Sequence, residues 1–425
     1  MMTVLRTAGA LASMAIAIGV GWAATFGAAR LTTRPAAFLT AGLLGYALAL
    51  APAVWWLTRR PAGEPSGRLR VTAAAVAAAV VLVPAAWAAL RPAHPDVPAA
   101  PAGTRFWTLP DGSRIAVLRV PARPRATADP VVFLHGGPGV ADMDHDAPVL
   151  ARLADSGRDV WLYDQVGAGR SSRLADPRGY SLERDVADLE QVRRLIGAPR
   201  LALIGHSYGA TLAATYLARH PERVSRVVFS SPGRLVPEVG DVSGTGMVGR
   251  LDPRQRLAVF GTLLRPRAML TYSLVKADPR AAHALSGDDE MDSRFVTLHR
   301  QSAPGLVCPG SPAPPTALRP GFYANQVPLS STRAAPDIRP ALSRVRVPAL
   351  VLKGGCDYLP WSFAVDYRRS VPGSRLLYFD DSGHQLHLER PDRFVTVVHA
   401  FLADSPPPWP TWSGTEPPAG YRGAR

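Results

Sequence analysis

Lysine and cysteine are both scarce in this chain. Of its 425 residues only Lys276 and Lys353 are lysines and only Cys308 and Cys356 are cysteines, so the formal charge of +15 is carried by arginine. The arginines are spread out with no dense basic run, which argues against a nucleic-acid partner and leaves solvated surface arginine, with some attraction to anionic lipid heads. Two cysteines without metal-ligand spacing and ten histidines without a His-Glu-x-x-His run give no zinc site. No glycine-rich phosphate loop precedes a lysine. Neither a metal nor a cofactor is therefore expected.

Charge is low along the first ninety residues, where three uncharged apolar stretches (residues 7–29, 35–57 and 71–90) each approach the roughly 20 residues that cross a bilayer. They are read as three transmembrane helices. The competing reading of the first, with Arg6 ahead of an apolar run, is a cleaved signal peptide, but two further stretches follow it. Arg6 and the cluster Arg59, Arg60, Arg68 and Arg70 outweigh Arg30 and Arg34 in the first loop, so the N-terminus is placed inside. Three crossings then deliver the rest of the chain to the outer face. With the proline- and alanine-rich tether that follows, this region is taken as residues 1–98.

Downstream, 47% hydrophobic and 19% charged residues suit a globular core with membrane content. Strand-like runs at Val131–Leu134, Val160–Tyr163, Leu201–Ile204 and Val227–Ser230 alternate with helical patterns such as Asp185–Ile196, which predicts a mostly parallel α/β sheet. Regularity breaks after Pro232 and resumes at Ala349–Leu352 and Arg375–Phe379. The core is therefore assigned to residues 99–232 and 340–404, an inserted cap to 233–339, and an irregular proline-rich tail, on the surface or disordered, to 405–425.

The densest chemical signal is Gly205-His-Ser-Tyr-Gly209, between an apolar strand and a helix that Pro221 ends. Glycines at those two positions permit a sharp strand-to-helix turn that presents Ser207 to a cleft. A serine nucleophile needs a base and an acid that orients it, and one recurring arrangement supplies them in the order Ser, Asp, His. Asp357 follows the strand Ala349–Leu352, and His384 follows Arg375–Phe379. His387 is a competitor for the base; Asp380 and Asp381 are rivals for the acid, but too close in sequence to His384 to form a separate loop. The strand ending in His135-Gly-Gly-Pro-Gly139 offers the Gly137 N–H, with the Tyr208 N–H, as donors to an oxyanion, and His135 as a support for that loop.

The two cysteines are expected to pair. An outward-facing domain is oxidising territory, and closing the long loop between Cys308 and Cys356 stabilises by roughly 3 to 4 kcal/mol in the chain-entropy model. The alternative is two buried thiols.

Taken together, His135-Gly-Gly-Pro-Gly139, Asp164-Gln-Val-Gly-Ala-Gly-Arg-Ser171, the elbow and the Gly383-His384 loop with Glu389 and Pro391 resemble the α/β-hydrolase superfamily, in its proline iminopeptidase-like branch. The family's elbow usually reads Gly-Gly-Ser-Trp-Gly, and it usually has arginine where Val166 stands here. The resemblance implies an α/β-hydrolase fold with an inserted cap and a Ser207–His384–Asp357 triad working through an acyl-enzyme. It also implies an aminopeptidase or amidase acting on short peptides with a free N-terminus, whose ammonium is held by acidic cap residues. Candidates are Glu290 and Asp292 in Ser286-Gly-Asp-Asp-Glu-Met-Asp-Ser293, with Glu238 and Asp241 earlier. That acidic run also reads as a solvated helix start. The alternatives are a carboxylesterase on small or lipid-like esters and, from a different class, a non-catalytic binding domain.

Overall fold

The computed structural model describes residues 2–58, 102–126, 128–236, 243–315, 319–331 and 336–424. The chain divides into two compact units, residues 1–94 with 263–290 and residues 95–262 with 291–425.

In the first unit, helices α1 (Met2–Ala29) and α2 (Pro35–Thr58) form a hairpin. Their seam is built from small residues: a β-carbon on Gly42 would lie 1.9 Å from Thr25 Oγ1, and one on Gly45 2.9 Å from Ala24 Cβ. Glycine and alanine at these positions let the two backbones approach closely. Outside the seam, Ile16, Leu43 and Leu48 are exposed. Both helices contain an 18-residue window long and apolar enough to cross a membrane, Ala12–Ala29 and Pro35–Pro52. The third expected span, residues 71–90, lies outside the described residues. Residues 263–290, which the sequence placed in a single insertion over 233–339, belong to this unit and carry a bidentate contact from Arg267 Nε to both oxygens of Glu290 (2.8 and 2.9 Å).

The second unit is built on an eight-stranded sheet. Its strands are β1 (Arg105–Thr108), β2 (Arg114–Val120), β3 (Val131–Leu134), β4 (Val160–Tyr163), β5 (Leu201–His206), β6 (Val224–Ser230), β7 (Ala349–Gly354) and β8 (Arg375–Phe379). They lie in the order β1-β2-β4-β3-β5-β6-β7-β8. The hairpin β1–β2 and the β2–β4 pair are antiparallel; all later pairs are parallel. Every residue of β3, β5 and β7 is buried, as expected of strands covered on both faces. Around the sheet, α3 (Met143–Leu150), α4 (Leu182–Ile196), α5 (Tyr208–Arg219), α6 (Trp361–Ser370) and α7 (Pro391–Leu402) alternate with the strands. Helix α4 shows why the local pattern was legible: Ser181 Oγ accepts from Arg184 N (3.1 Å) at its start, and Gly197 closes it at φ 76°. Val131, Phe133, Ile204, Leu350, Leu352, Phe379 and Phe394 belong to one continuous core beneath the carboxyl ends of the parallel strands.

Candidate active site

The elbow is a sharp turn from strand to helix. Ser207, between β5 and α5, has φ 55° and ψ −117°, a left-handed conformation that a residue with a β-carbon adopts only when its surroundings impose it. What imposes it is visible at the two glycines. A β-carbon on Gly205 would lie 2.2 Å from Gly209 O, and one on Gly209 2.0 Å from Leu134 O. Helix, strand and turn thus meet with no room for side chains, and Ser207 is held at the top of β5.

Opposite the elbow stand the loops that follow β7 and β8. His384 Nδ1 donates to Asp357 Oδ1 at 2.8 Å, with both residues buried. The His384 ring lies 4.8 Å from that of His206, the residue before Ser207, and 4.7 Å from that of Tyr358. Among the described residues His384 is not hydrogen-bonded to Ser207; ring packing is what sets their loops side by side. His387 is engaged elsewhere, its Nε2 donating to buried Asp146 Oδ1 at 2.8 Å. Asp380 and Asp381 are held by Arg393 and Arg390.

Asp357 is fully buried and every face of its carboxylate is used. Oδ1 also accepts Leu359 N (3.0 Å), and Oδ2 accepts Lys353 Nζ at 2.8 Å. Burial alone would raise this carboxyl, but the Lys353 ammonium and the His384 imidazole outweigh it and hold the group well below the usual carboxylate range. Lys353 is itself fully buried at the end of β7 and gives a second hydrogen bond to Leu359 O (2.8 Å). Sequence reading missed this lysine. The available signal was its rarity: one of two lysines, inside an apolar strand, four residues before an aspartate.

The histidine loop is fastened by Glu389, whose carboxylate accepts Gly383 N (2.8 Å) and Gln385 N (3.0 Å), the amides on either side of His384. Burial raises the Glu389 carboxyl, opposed by those two amides. His206 is pushed well below the ordinary histidine value, first by burial and then by its histidine neighbours, so the ring beside His384 is neutral.

The glycine loop after β3 abuts the elbow. A β-carbon on Gly136 would sit 3.0 Å from Ser207 Cβ; Gly137 has φ 121°, and a β-carbon there would be 2.6 Å from Val140 N. His135 Nε2 accepts Gln165 N (3.0 Å) and its carbonyl accepts Gln165 Nε2 (3.1 Å), so this histidine ties two loops together. The Tyr208 hydroxyl points inward to Asp185 Oδ2 (2.7 Å), and burial raises that carboxyl to about 7. The segment 164–171 folds on itself: Asp164 Oδ2 accepts Arg170 N (2.8 Å), and Ser171 Oγ accepts Ala116 N from β2 (2.9 Å). Its role is to shape this rim of the sheet.

Cys308 and Cys356 are disulfide-bonded, with Cα atoms 5.0 Å apart. The bridge places the segment before Cys308 on the histidine loop, where Leu306 O accepts His384 N at 2.7 Å.

Glu290 and Asp292 both make close polar contacts. Glu290 is paired with Arg267, and Asp292 accepts Arg173 Nε and Nη2 (3.0 and 2.8 Å) on Oδ2 and Phe322 N (2.7 Å) on Oδ1. An acid already neutralised by a guanidinium is a poor receptor for a second cation. Glu290 and Asp292, expected to hold a substrate ammonium, are each half of an internal ion pair. Glu238 and Asp241 lie outside the described residues.

The sequence profile of the α/β hydrolase fold matches residues 129–267. A proline iminopeptidase of Saccharolobus solfataricus is 24% identical over 64% of this chain and 84% of its own length. One of Heyndrickxia coagulans is 43% identical over 24% of this chain and 35% of its own length. The crystal structure of a Mycobacterium smegmatis proline iminopeptidase aligns with a TM-score of 0.49 at 23% identity, covering 71% of this chain and 98% of the other.

Proposed function

Given that the chain is an α/β hydrolase of the proline iminopeptidase-like branch, we propose that it is a serine hydrolase, anchored in a membrane, that cleaves small peptides or amides with a free N-terminus. The observation that carries this reading is the buried His384–Asp357 pair beside the strained Ser207 elbow. His384 takes the Ser207 proton as Oγ attacks the substrate carbonyl. The Gly137 and Tyr208 N–H groups hold the oxyanion, and His384 returns the proton to the leaving amine. Water then repeats the sequence on the acyl-enzyme. In a ligand-free site the Ser–His contact is often long and closes with substrate.

On this reading the apolar helices α1 and α2 anchor the chain, and the hydrolase faces outward, where a Cys308–Cys356 bridge is stable. A second reading is favoured by one observation: Glu290 and Asp292 are each paired with an arginine. An ester, with no ammonium to neutralise, needs no displaced guanidinium, and the enzyme is then a carboxylesterase. Parallel assay of the full-length protein in detergent against aminoacyl arylamides and short-chain aryl esters separates the two. Turnover of arylamides only with a free amine supports the peptidase, and preference for esters supports the alternative. Absence of Ser207 labelling by a fluorophosphonate probe defeats both.

A further inference from the structure

The C-terminal tail is fastened at several points between Thr411 and Ala424. Thr411 bridges Leu377 of β8, and Trp412 N donates to Leu376 O at 2.7 Å. Arg368 Nη1 and Trp361 Nε1 of α6 then hold Trp412 O and Thr415 O (2.7 and 2.9 Å). At its far end the tail reaches the loop that carries Asp357. Arg422 N donates to Gly355 O (2.8 Å), and Ala424 N donates to the main-chain carbonyl of Asp357 (2.9 Å). Ala424 O in turn accepts Trp361 N at 2.9 Å. That amide begins α6, where Pro360 gives no side-chain cap, so the tail satisfies a helix-start donor that nothing local serves.

The fit at this end is close. A β-carbon on Gly423 would lie 2.6 Å from Asp357 O, and Tyr421, which is buried, packs its ring 5.3 Å from Trp361. Arg422 adds a link to the histidine side: Nη2 reaches Cys308 Sγ at 3.6 Å, and its carbonyl accepts Arg250 Nη1 (3.5 Å) while Arg250 Nη2 holds Val307 O (3.1 Å). The neighbouring Leu306 O is the acceptor for His384 N. Both loops that present the acid and the base are therefore connected to residues 421–424.

We infer that the segment 411–424 is a positioning strap that holds the Asp357 loop, and through Cys308 the His384 loop, in working geometry. The inference rests on the serine-hydrolase reading. A displacement of about 1 Å in a catalytic constellation is enough to cost on the order of a hundredfold in rate. The strap acts on Asp357 through its main-chain carbonyl, and a proline at 424 removes that one donor.

The test uses the full-length protein and the second-order rate of Ser207 labelling by a fluorophosphonate probe, with the melting midpoint measured alongside. Ala424→Pro is expected to slow labelling about 10- to 100-fold while the folded fraction at the assay temperature stays complete, and Ala424→Gly, which keeps the N–H, restores the native rate. Gly423→Val attacks the same contact sterically and is expected to behave like Ala424→Pro. Native labelling rates in both disruptive variants overturn the strap, as does a loss seen only when the protein has unfolded, or an equal loss in Ala424→Gly. If the native protein is not labelled at Ser207, the hydrolase reading is what has failed, and the strap's role falls with it.

Discussion

The elbow of Ser207 and the loop of Asp357 stand at the ends of β5 and β7 of one sheet, with β6 between them, yet they are built in different ways. The elbow is shaped by close contacts: Gly205 against Gly209, Gly209 against Leu134 and Gly136 against Ser207, with Ser207 N donating to Ser230 O (2.9 Å). The acid loop is held by Lys353 from beneath, by a disulfide from Cys308, and by a tail some sixty residues downstream. A sharp backbone turn is set by close main-chain packing, which glycines permit. A buried carboxylate must be surrounded by donors, and those come from wherever the fold brings them.

The contrast is broken most severely at the elbow. Ser207→Ala is expected to reduce turnover by about 10⁴- to 10⁶-fold with an unchanged melting midpoint, because the turn depends on the glycines and not on the hydroxyl. His384→Ala should match it. His387→Ala should instead lower the melting temperature, since Asp146 loses its buried partner, and leave the turnover of folded molecules near native. Full activity in Ser207→Ala, measured against esters and arylamides, would remove the assignment.

Next in size is the bridge on the acid loop. Opening the Cys308–Cys356 disulfide by a double Ser substitution is expected to lower stability by about 4 kcal/mol in the chain-entropy model, read as a fall in denaturation midpoint. Alkylation of the native protein without reductant should leave both cysteines unmodified in the mass spectrum. Two alkylated thiols would contradict the bridge, and with it an argument for the outward face.

Lys353 sharpens the comparison through pH. Its ammonium keeps Asp357 ionised, so in Lys353→Met the acid takes up a proton at higher pH than in the native protein. A carboxylate that stays ionised far below its ordinary range stabilises the folded state at low pH, and that stability is lost as pH falls through the folded value. With the cation removed the loss should set in at higher pH, so the acid-unfolding midpoint of Lys353→Met is expected to rise relative to the native protein. An unmoved acid midpoint in a folded variant would mean that the lysine only fills space.

The smallest expected effect lies behind the elbow, at Asp185. Its carboxyl is raised from the ordinary aspartate value to about 7 by burial, so the folded state binds a proton that the unfolded state has released. That contribution is complete below the unfolded value and is lost as pH rises through about 7. Asp185→Asn should gain melting temperature relative to the native protein across that window, with the difference levelling above it. A constant difference from pH 4 to pH 8 would show that the carboxyl does not titrate there.

Much of this architecture was legible because it depends on short-range regularities. Strand and helix periods, the Ser181 and Gly197 caps, the two elbow glycines and the order Ser, Asp, His are properties of neighbouring residues, and the described parallel sheet follows their alternation. What stayed hidden has one cause. Whether an acid is a receptor or half of an ion pair depends on which arginine folds against it, so Glu290 and Asp292 looked available until Arg267 and Arg173 met them. The tail read as irregular because it has no period of its own; many of its hydrogen bonds go to β8, α6 and the acid loop, far away in sequence. Residues 263–290 looked like part of one insertion because nothing in their composition says which neighbours they join. The amino-acid order alone determined the sheet, the elbow and the identity of a serine, an aspartate and a histidine at the ends of three strands. Only tertiary structure decided what surrounds that aspartate, because charge compensation in a dry interior is settled by contacts between segments far apart in sequence.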